Sequence, residues 1–199
     1  MSWAAKPPSE NPQETMELSL EIIMAVDLSW SMDNERILKV KDVLRDFINQ
    51  FYDENVHFGI VGFADYSEVL LKTTNRKKRV INIINNLKVG SLGNYTKGEP
   101  FTKSYNLSNP KKYNTRYLII LTDGVWHGDD ANYIALSKKC INSGLNVIAL
   151  GIGEADSAFL RKIAVSDDLA ALTDLNNLSS TFSRIAKVIS SNNGAGLRQ

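Results

Sequence analysis

Asp27, Ser29 and Ser31 set three oxygen-bearing side chains at alternate positions of the stretch IIMAVDLSWSM. All are hard donors of short reach, and spacing by two in an extended segment turns alternate side chains to one side, where they could share a small cation. Three oxygens leave the octahedral shell of Mg²⁺ incomplete, so further donors must come from distant parts of the chain. Two candidates lie downstream: Thr96 in the loop GSLGNYTKG, and Asp123 in LIILTDG.

These residues sit where the surrounding elements would place a site. Residues 22–26 form an apolar run that fits a strand buried on both faces and stops at Asp27. Directly after the loop, Ile37, Val40, Leu44, Phe47 and Phe51 recur at spacings of three and four, a helical stripe. Residues 117–121 read as another buried strand, ending in Thr122, Asp123 and Gly124. Strand ends that pass into helices are where open α/β sheets gather their sites. The start of the helix after Ser31 would add free N–H groups that suit an arriving anion.

Asp27, Ser29 and Ser31, then a loop Thr96, then Asp123 after an apolar strand, resemble the metal-ion-dependent adhesion site (MIDAS) of von Willebrand factor type A (VWA) domains, integrin I domains among them. The resemblance runs over roughly residues 18–190. It implies a doubly wound, Rossmann-like α/β sheet of about six mainly parallel strands in the order 3-2-1-4-5-6, with one antiparallel edge strand and helices on both faces. It implies that Ser29, Ser31 and Thr96 would ligate a divalent ion directly, while Asp27 and Asp123 act through water and hydrogen bonds to the hydroxyls. Mg²⁺ is the expected ion, with Mn²⁺ or Ca²⁺ as alternatives. The implied function is protein docking, in which an Asp or Glu of a partner completes the ion's shell.

Trp30, Tyr95, Trp126 and His127 are expected on the rim that such a partner would touch. Trp30 stands where most of the family has glycine, although DLSWSM is similar to DLSYSM of integrin β-subunit I-like domains. In those domains two further Asp residues supply an adjacent cation site; the matching residues here are Asn34 and Glu35, which departs from that pattern.

Composition narrows the setting. With 199 residues, 43% hydrophobic and 23% charged, the chain fits one soluble domain, and a formal net charge of +1 gives no bulk attraction for nucleic acid or an anionic membrane. Cys140 is the sole cysteine, so neither an intrachain disulfide nor a thiolate metal cluster can form. The opening MSWAAKPPSENPQETME lacks the apolar core of a secretory signal, and no run approaches the roughly 20 apolar residues of a membrane span. A cytoplasmic setting is expected. Single-domain intracellular relatives are similar to adaptors that act with ring ATPases or other complexes, and a monomeric adaptor docking one such subunit is the expectation here.

Residues 1–16, with Pro7, Pro8, Pro12 and Trp3, read as a flexible arm, 17–191 as the domain, and 192–199 as a frayed tail. Residues 56–63 and 68–72 read as strands whose short link, Ala64, Asp65 and Tyr66, forces an antiparallel hairpin. Val80, Ile84 and Leu87 mark a helix opened by the basic run RKKR, either a solvated face or a patch for an acidic partner. Residues 100–107 show no clear pattern. Helices over 130–143, 157–165 and 178–190, with strands at 147–151 and 170–172, complete the alternation, and Gly144 stops its helix.

The competing class is Mg²⁺-dependent phosphoryl transfer, which also begins with an Asp at a strand end. Dehalogenase-like phosphatases have a second Asp two residues on, and here that position is Ser29, which cannot act as a carboxylate acid or base. With His57 and His127 the only histidines and no GxSxG elbow, serine chemistry is poorly served. The chain is therefore read as a binding module and not an enzyme, with a retained fold around an unused site as the bland alternative.

Overall fold

Strand β1 (Leu20–Asp27) is buried at every position because it runs through the middle of a six-stranded sheet. The computed structural model describes residues 19–193, so the proline-bearing arm with Trp3, and the tail past 193, lie outside the described residues. Beside β1 lie β2 (Val56–Phe63) on one side and β4 (Thr115–Thr122) on the other, both parallel to it. Outward from β4 come β5 (Leu145–Ile152) and β6 (Ala170–Thr173), again parallel. At the opposite edge, β3 (Ser67–Thr74) pairs antiparallel with β2 across the three-residue link that allows only a hairpin. The order is therefore β3-β2-β1-β4-β5-β6, with the winding reversing between β1 and β4.

Alternation along β1 feeds two cores. Ile22, Met24 and Val26 join the apolar layer under α1 (Asn34–Gln50), α2 (Lys77–Asn85) and α6 (Leu178–Asn193). Ile23 and Ala25 join the layer under α3 (Phe101–Leu107), α4 (Asp130–Asn142) and α5 (Ser157–Ile163). The helical stripe of α1 ends in an aromatic stack: Phe47 meets Phe51 and Phe182 edge-on at 5.2 and 5.3 Å, fixing α1 against α6. Gly144 ends α4 in a left-handed conformation, φ +80°.

Three local features differ from the sequence reading. Residues 100–107 contain α3, seven residues whose inward side chains Phe101 and Ser104 are too few to set a visible period. Residues 30–32 form a single 3₁₀ turn, not an extended loop, because the chain must bend from β1 into α1 within a few residues. Met32 N–H donates to Ser29 O at 3.1 Å and the Met32 side chain is buried beneath. Finally, the start of α1 is already capped: Asp33 Oδ1 accepts the Arg36 N–H at 2.9 Å, so that N–H is not free for an anion.

At the other end of β1 from Asp27, Glu21 is fully buried. Its Oε2 accepts from Ser108 Oγ at 2.6 Å and Asn109 N at 3.3 Å, while its Oε1 has no partner. Arg116, its register neighbour on β4, bonds the same Ser108 hydroxyl at 3.1 Å.

Candidate metal centre

The ends of β1 and β4 bring Asp27 and Asp123 to one crevice, and the loop between α2 and α3 lowers Thr96 into it. Asp27 is fully buried. Its Oδ1 accepts the Ser29 N–H at 2.9 Å; its Oδ2 accepts from Thr122 Oγ1 at 2.7 Å and Thr96 Oγ1 at 3.0 Å. Thr96 Oγ1 lies 3.2 Å from Ser29 Oγ, which lies 2.9 Å from Ser31 Oγ, and Ser31 donates to Asp123 Oδ1 at 2.7 Å. The structure thus brings Asp27, Ser29, Ser31, Thr96 and Asp123 into one continuous chain of oxygens. Ser31 is its solvent-facing link, while the other four side chains are buried.

Counting protons along that chain shows what it lacks. With both carboxylates ionised, the hydroxyls of Thr96, Ser29 and Ser31 carry one hydrogen each, yet they make four close contacts, two among themselves and two with carboxylates. Thr96 and Ser31 spend theirs on Asp27 and Asp123, so one of Ser29's two contacts sets lone pair against lone pair. A cation relieves such a contact. The spacing fits one as well: neighbouring oxygens in an octahedral Mg²⁺ shell stand about 2.9 Å apart, and the hydroxyls of Thr96, Ser29 and Ser31 stand 3.2 and 2.9 Å apart in turn. Among the described residues no three His, Cys, Asp or Glu side chains converge, so the donor set is hydroxyl-rich and hard.

Burial raises the pKa of Asp27 above the ordinary carboxylate value, opposed by the Ser29 N–H and the Thr122 hydroxyl, with the Asp123 charge raising it further. Asp123 is likewise raised by burial, against the Ser31 hydroxyl and the Arg36 guanidinium, which lower it. Two desolvated carboxylates held this close favour a bound cation.

The loops are fixed by backbone bonds. Trp30 N–H donates to Asn94 O at 3.1 Å, and His127 N–H to Thr96 O at 2.7 Å. Asp65, in the hairpin link, accepts the N–H groups of Asn94 and Tyr95 at 3.0 and 3.2 Å, clamping the loop that carries Thr96. Gly93 passes so near that carboxylate, at φ +113°, that a Cβ there would overlap it.

A cavity of about 410 Å³ opens over the oxygens, walled by Trp30, Tyr95, Val125 and His127. Trp30 is 65% exposed, which sets it on the rim and not under the loop. Tyr95 and His127 are exposed and meet edge-on at 6.0 Å. Trp126 does not join them. It is only 5% exposed, packed among Phe63, Phe101, Tyr133 and Phe159, and its Nε1–H donates to Thr122 Oγ1 at 3.1 Å. The expectation that Trp126 lines the rim is corrected: after β4 the chain folds this ring into the α3/α4/α5 core, and the exposed apolar residue of the loop is its neighbour Val125.

Arg36 is the site residue that the sequence reading missed. Its Nη1 donates to Asp123 Oδ2 at 2.8 Å and to Ser31 O at 2.7 Å. A signal was available: Arg36 lies in the first turn of α1, at the positive end of the helix dipole, where a cation is disfavoured unless a carboxylate compensates. Thr122 was visible only as a strand end; its hydroxyl links Trp126 to Asp27.

The model of the von Willebrand factor type A domain matches residues 21–184. The chain belongs to that family. VWA domains are protein-interaction modules with a metal site. Mouse (Mus musculus) matrilin-2 is similar to this VWA domain at 26% identity over 181 residues, which takes in 81% of this chain and 18% of matrilin-2. The vWF domain of the type V pili tip protein Mfa5 from Porphyromonas gingivalis superposes with a TM-score of 0.79 at 11% identity, covering 92% of this chain and 98% of that one. Proximal thread matrix protein 1 from the mussel byssus, solved with zinc in its MIDAS motif, superposes with a TM-score of 0.74 at 20% identity, covering 86% of this chain and 46% of that one. At these identities the structural likeness speaks for the fold, and this chain spans only a fraction of matrilin-2 and of the byssus protein.

Proposed function

We propose that this VWA domain docks a protein partner by letting the partner's Asp or Glu complete the shell of a divalent cation held by Ser29, Ser31 and Thr96, with Asp27 and Asp123 behind them. The observation that carries the reading is the continuous run of close oxygens from Asp27 to Asp123, with four contacts for three hydroxyls, open to solvent at Ser31. An all-oxygen set with neutral hydroxyls favours Mg²⁺, with Mn²⁺ and Ca²⁺ as substitutes. Three neutral hydroxyls leave the ion electrophilic, so a carboxylate is its natural further ligand. Trp30, Tyr95, Val125 and His127 supply the apolar and aromatic surface that would set specificity.

No catalysis is part of the proposal. Ser29 stands where a phosphatase of the competing kind needs its second carboxylate. We infer an adaptor role in the cytoplasm, docking a subunit of a larger assembly such as a ring ATPase. A single cysteine is compatible with a reducing compartment; Cys140 itself is buried, and desolvation pushes its pKa up to about 12, well away from reactive thiolate.

Calorimetric titration of Mg²⁺ tests the site. Thr96→Ala should weaken the ion's binding by at least about tenfold while circular dichroism and the unfolding midpoint stay near those of the unaltered protein. Equal Mg²⁺ affinity in both proteins would remove Thr96 from the shell and the docking mechanism with it.

A further inference from the structure

Two carboxylates suffice to neutralise a divalent ion, yet this site carries a third charged group. Arg36 spans the mouth of the oxygen chain, bonded through a single nitrogen to Asp123 Oδ2 and to the backbone carbonyl of Ser31, between two of the residues that would hold the ion. Its side chain is 31% exposed, and the Asp123 side chain is fully buried, so this pair is sheltered from water on one side only. The carboxylates of the neighbouring loops, Asp33 and Asp65, keep their charge but are exposed, where water and salt screen it, and neither bonds the guanidinium. Asp33 and Asp65 bond backbone N–H groups, of Arg36 and of Asn94 and Tyr95 respectively.

The consequence is electrostatic. Before an ion arrives, Asp123 is already neutralised by the guanidinium. A divalent ion added to Asp27, Asp123 and Arg36 leaves one positive charge in excess, crowded into a half-buried space where like charges are poorly screened. One incoming carboxylate removes that excess. Without Arg36 the loaded site would already be neutral, and the carboxylate would gain less.

We propose that Arg36 makes the metal ion and the acidic ligand bind together, holding the ion weakly when it is alone and firmly once a carboxylate has joined it. The proposal rests on the docking reading above and specifies how that site is regulated. Because coupling between two ligands is reciprocal, the ion raises affinity for the acid by the same factor that the acid raises affinity for the ion. Arg36 is a positioning and charge-setting residue; it reads whether both ligands are present, so ion alone leaves the site largely open to exchange.

The experiment is calorimetric titration of Mn²⁺ into the whole chain at fixed ionic strength, in chloride and again in excess acetate, which stands for the partner's carboxylate. In the unaltered protein, acetate should tighten Mn²⁺ binding by about tenfold, within the usual span of coupling between sites. Arg36→Gln should bind Mn²⁺ more tightly than the unaltered protein in chloride and lose most of the acetate effect. Arg36→Lys keeps the charge without the planar fork and should retain most of it. If Gln and Lys variants shift both titrations alike, or if Arg36→Gln keeps the full acetate effect, Arg36 only braces the loop and the proposal is overturned. If the unaltered protein takes up no Mn²⁺ in either salt, the docking reading itself fails and takes this one with it.

Discussion

Glu21 is a fully buried carboxylate with one oxygen unpartnered. Desolvation raises its pKa, and the Ser108 hydroxyl, the Asn109 N–H and the Arg116 charge only partly oppose this. The sign of the pH effect follows. Below the ordinary Glu value of 4.5 both folded and unfolded chains keep the proton. As pH rises through that value the unfolded chain ionises first, so folding loses stability until the folded carboxyl ionises too. Glu21→Gln should therefore match the unaltered protein in acid and become the more stable of the two above that range. Urea unfolding across a pH series checks this, and a difference that is the same at every pH contradicts it. Single residues were unevenly legible in the sequence. Asp27, Ser29, Ser31, Thr96 and Asp123 stood out because oxygen donors at fixed places carry their chemistry with them. Trp30 and Trp126 did not announce that one faces water and the other the core, since an indole serves either role and only the packing of Phe63, Phe101, Tyr133 and Phe159 decides. Arg36 was hidden for a similar reason, its partner lying 87 residues away in the chain.

At the scale of elements, the strands were readable from their apolar runs, while the short connections that set the site were not. The link between β2 and β3 serves as more than a hairpin turn. Asp65 reaches from it to hold Asn94 and Tyr95, and Ala64 O accepts the N–H groups of Lys97 and Gly98 at 2.9 and 2.6 Å. Thr96 is thus clamped on both sides by an element that contributes no ligand. Gly93→Ala should displace the Asp65 carboxylate and force a strained φ, costing about 1–3 kcal/mol and weakening Mg²⁺ binding together with stability. Denaturant unfolding and calorimetry on the same variant would show both losses. Unchanged ion affinity would mean that the clamp does not position Thr96. Helix α3 escaped the sequence reading because seven residues give only two turns of pattern.

On the scale of the molecule, the doubly wound order explains why the site lies where it does. Winding outward in both directions from β1 and β4 leaves their ends side by side with no crossover helix above them. That gap admits Thr96 from a third loop and leaves the Ser31 end facing water. Two separate cores, one on each side of the sheet, anchor β1 and β4 beneath Asp27 and Asp123. The most direct measurement is a crystal structure grown with Mn²⁺ and acetate, using the anomalous signal of manganese to locate the ion. The account predicts a manganese peak bonded to Ser29, Ser31 and Thr96, with an acetate oxygen in its shell on the side of Trp30 and His127. A peak elsewhere, or an ion whose shell closes with protein and water alone while acetate stays in solution, would contradict it.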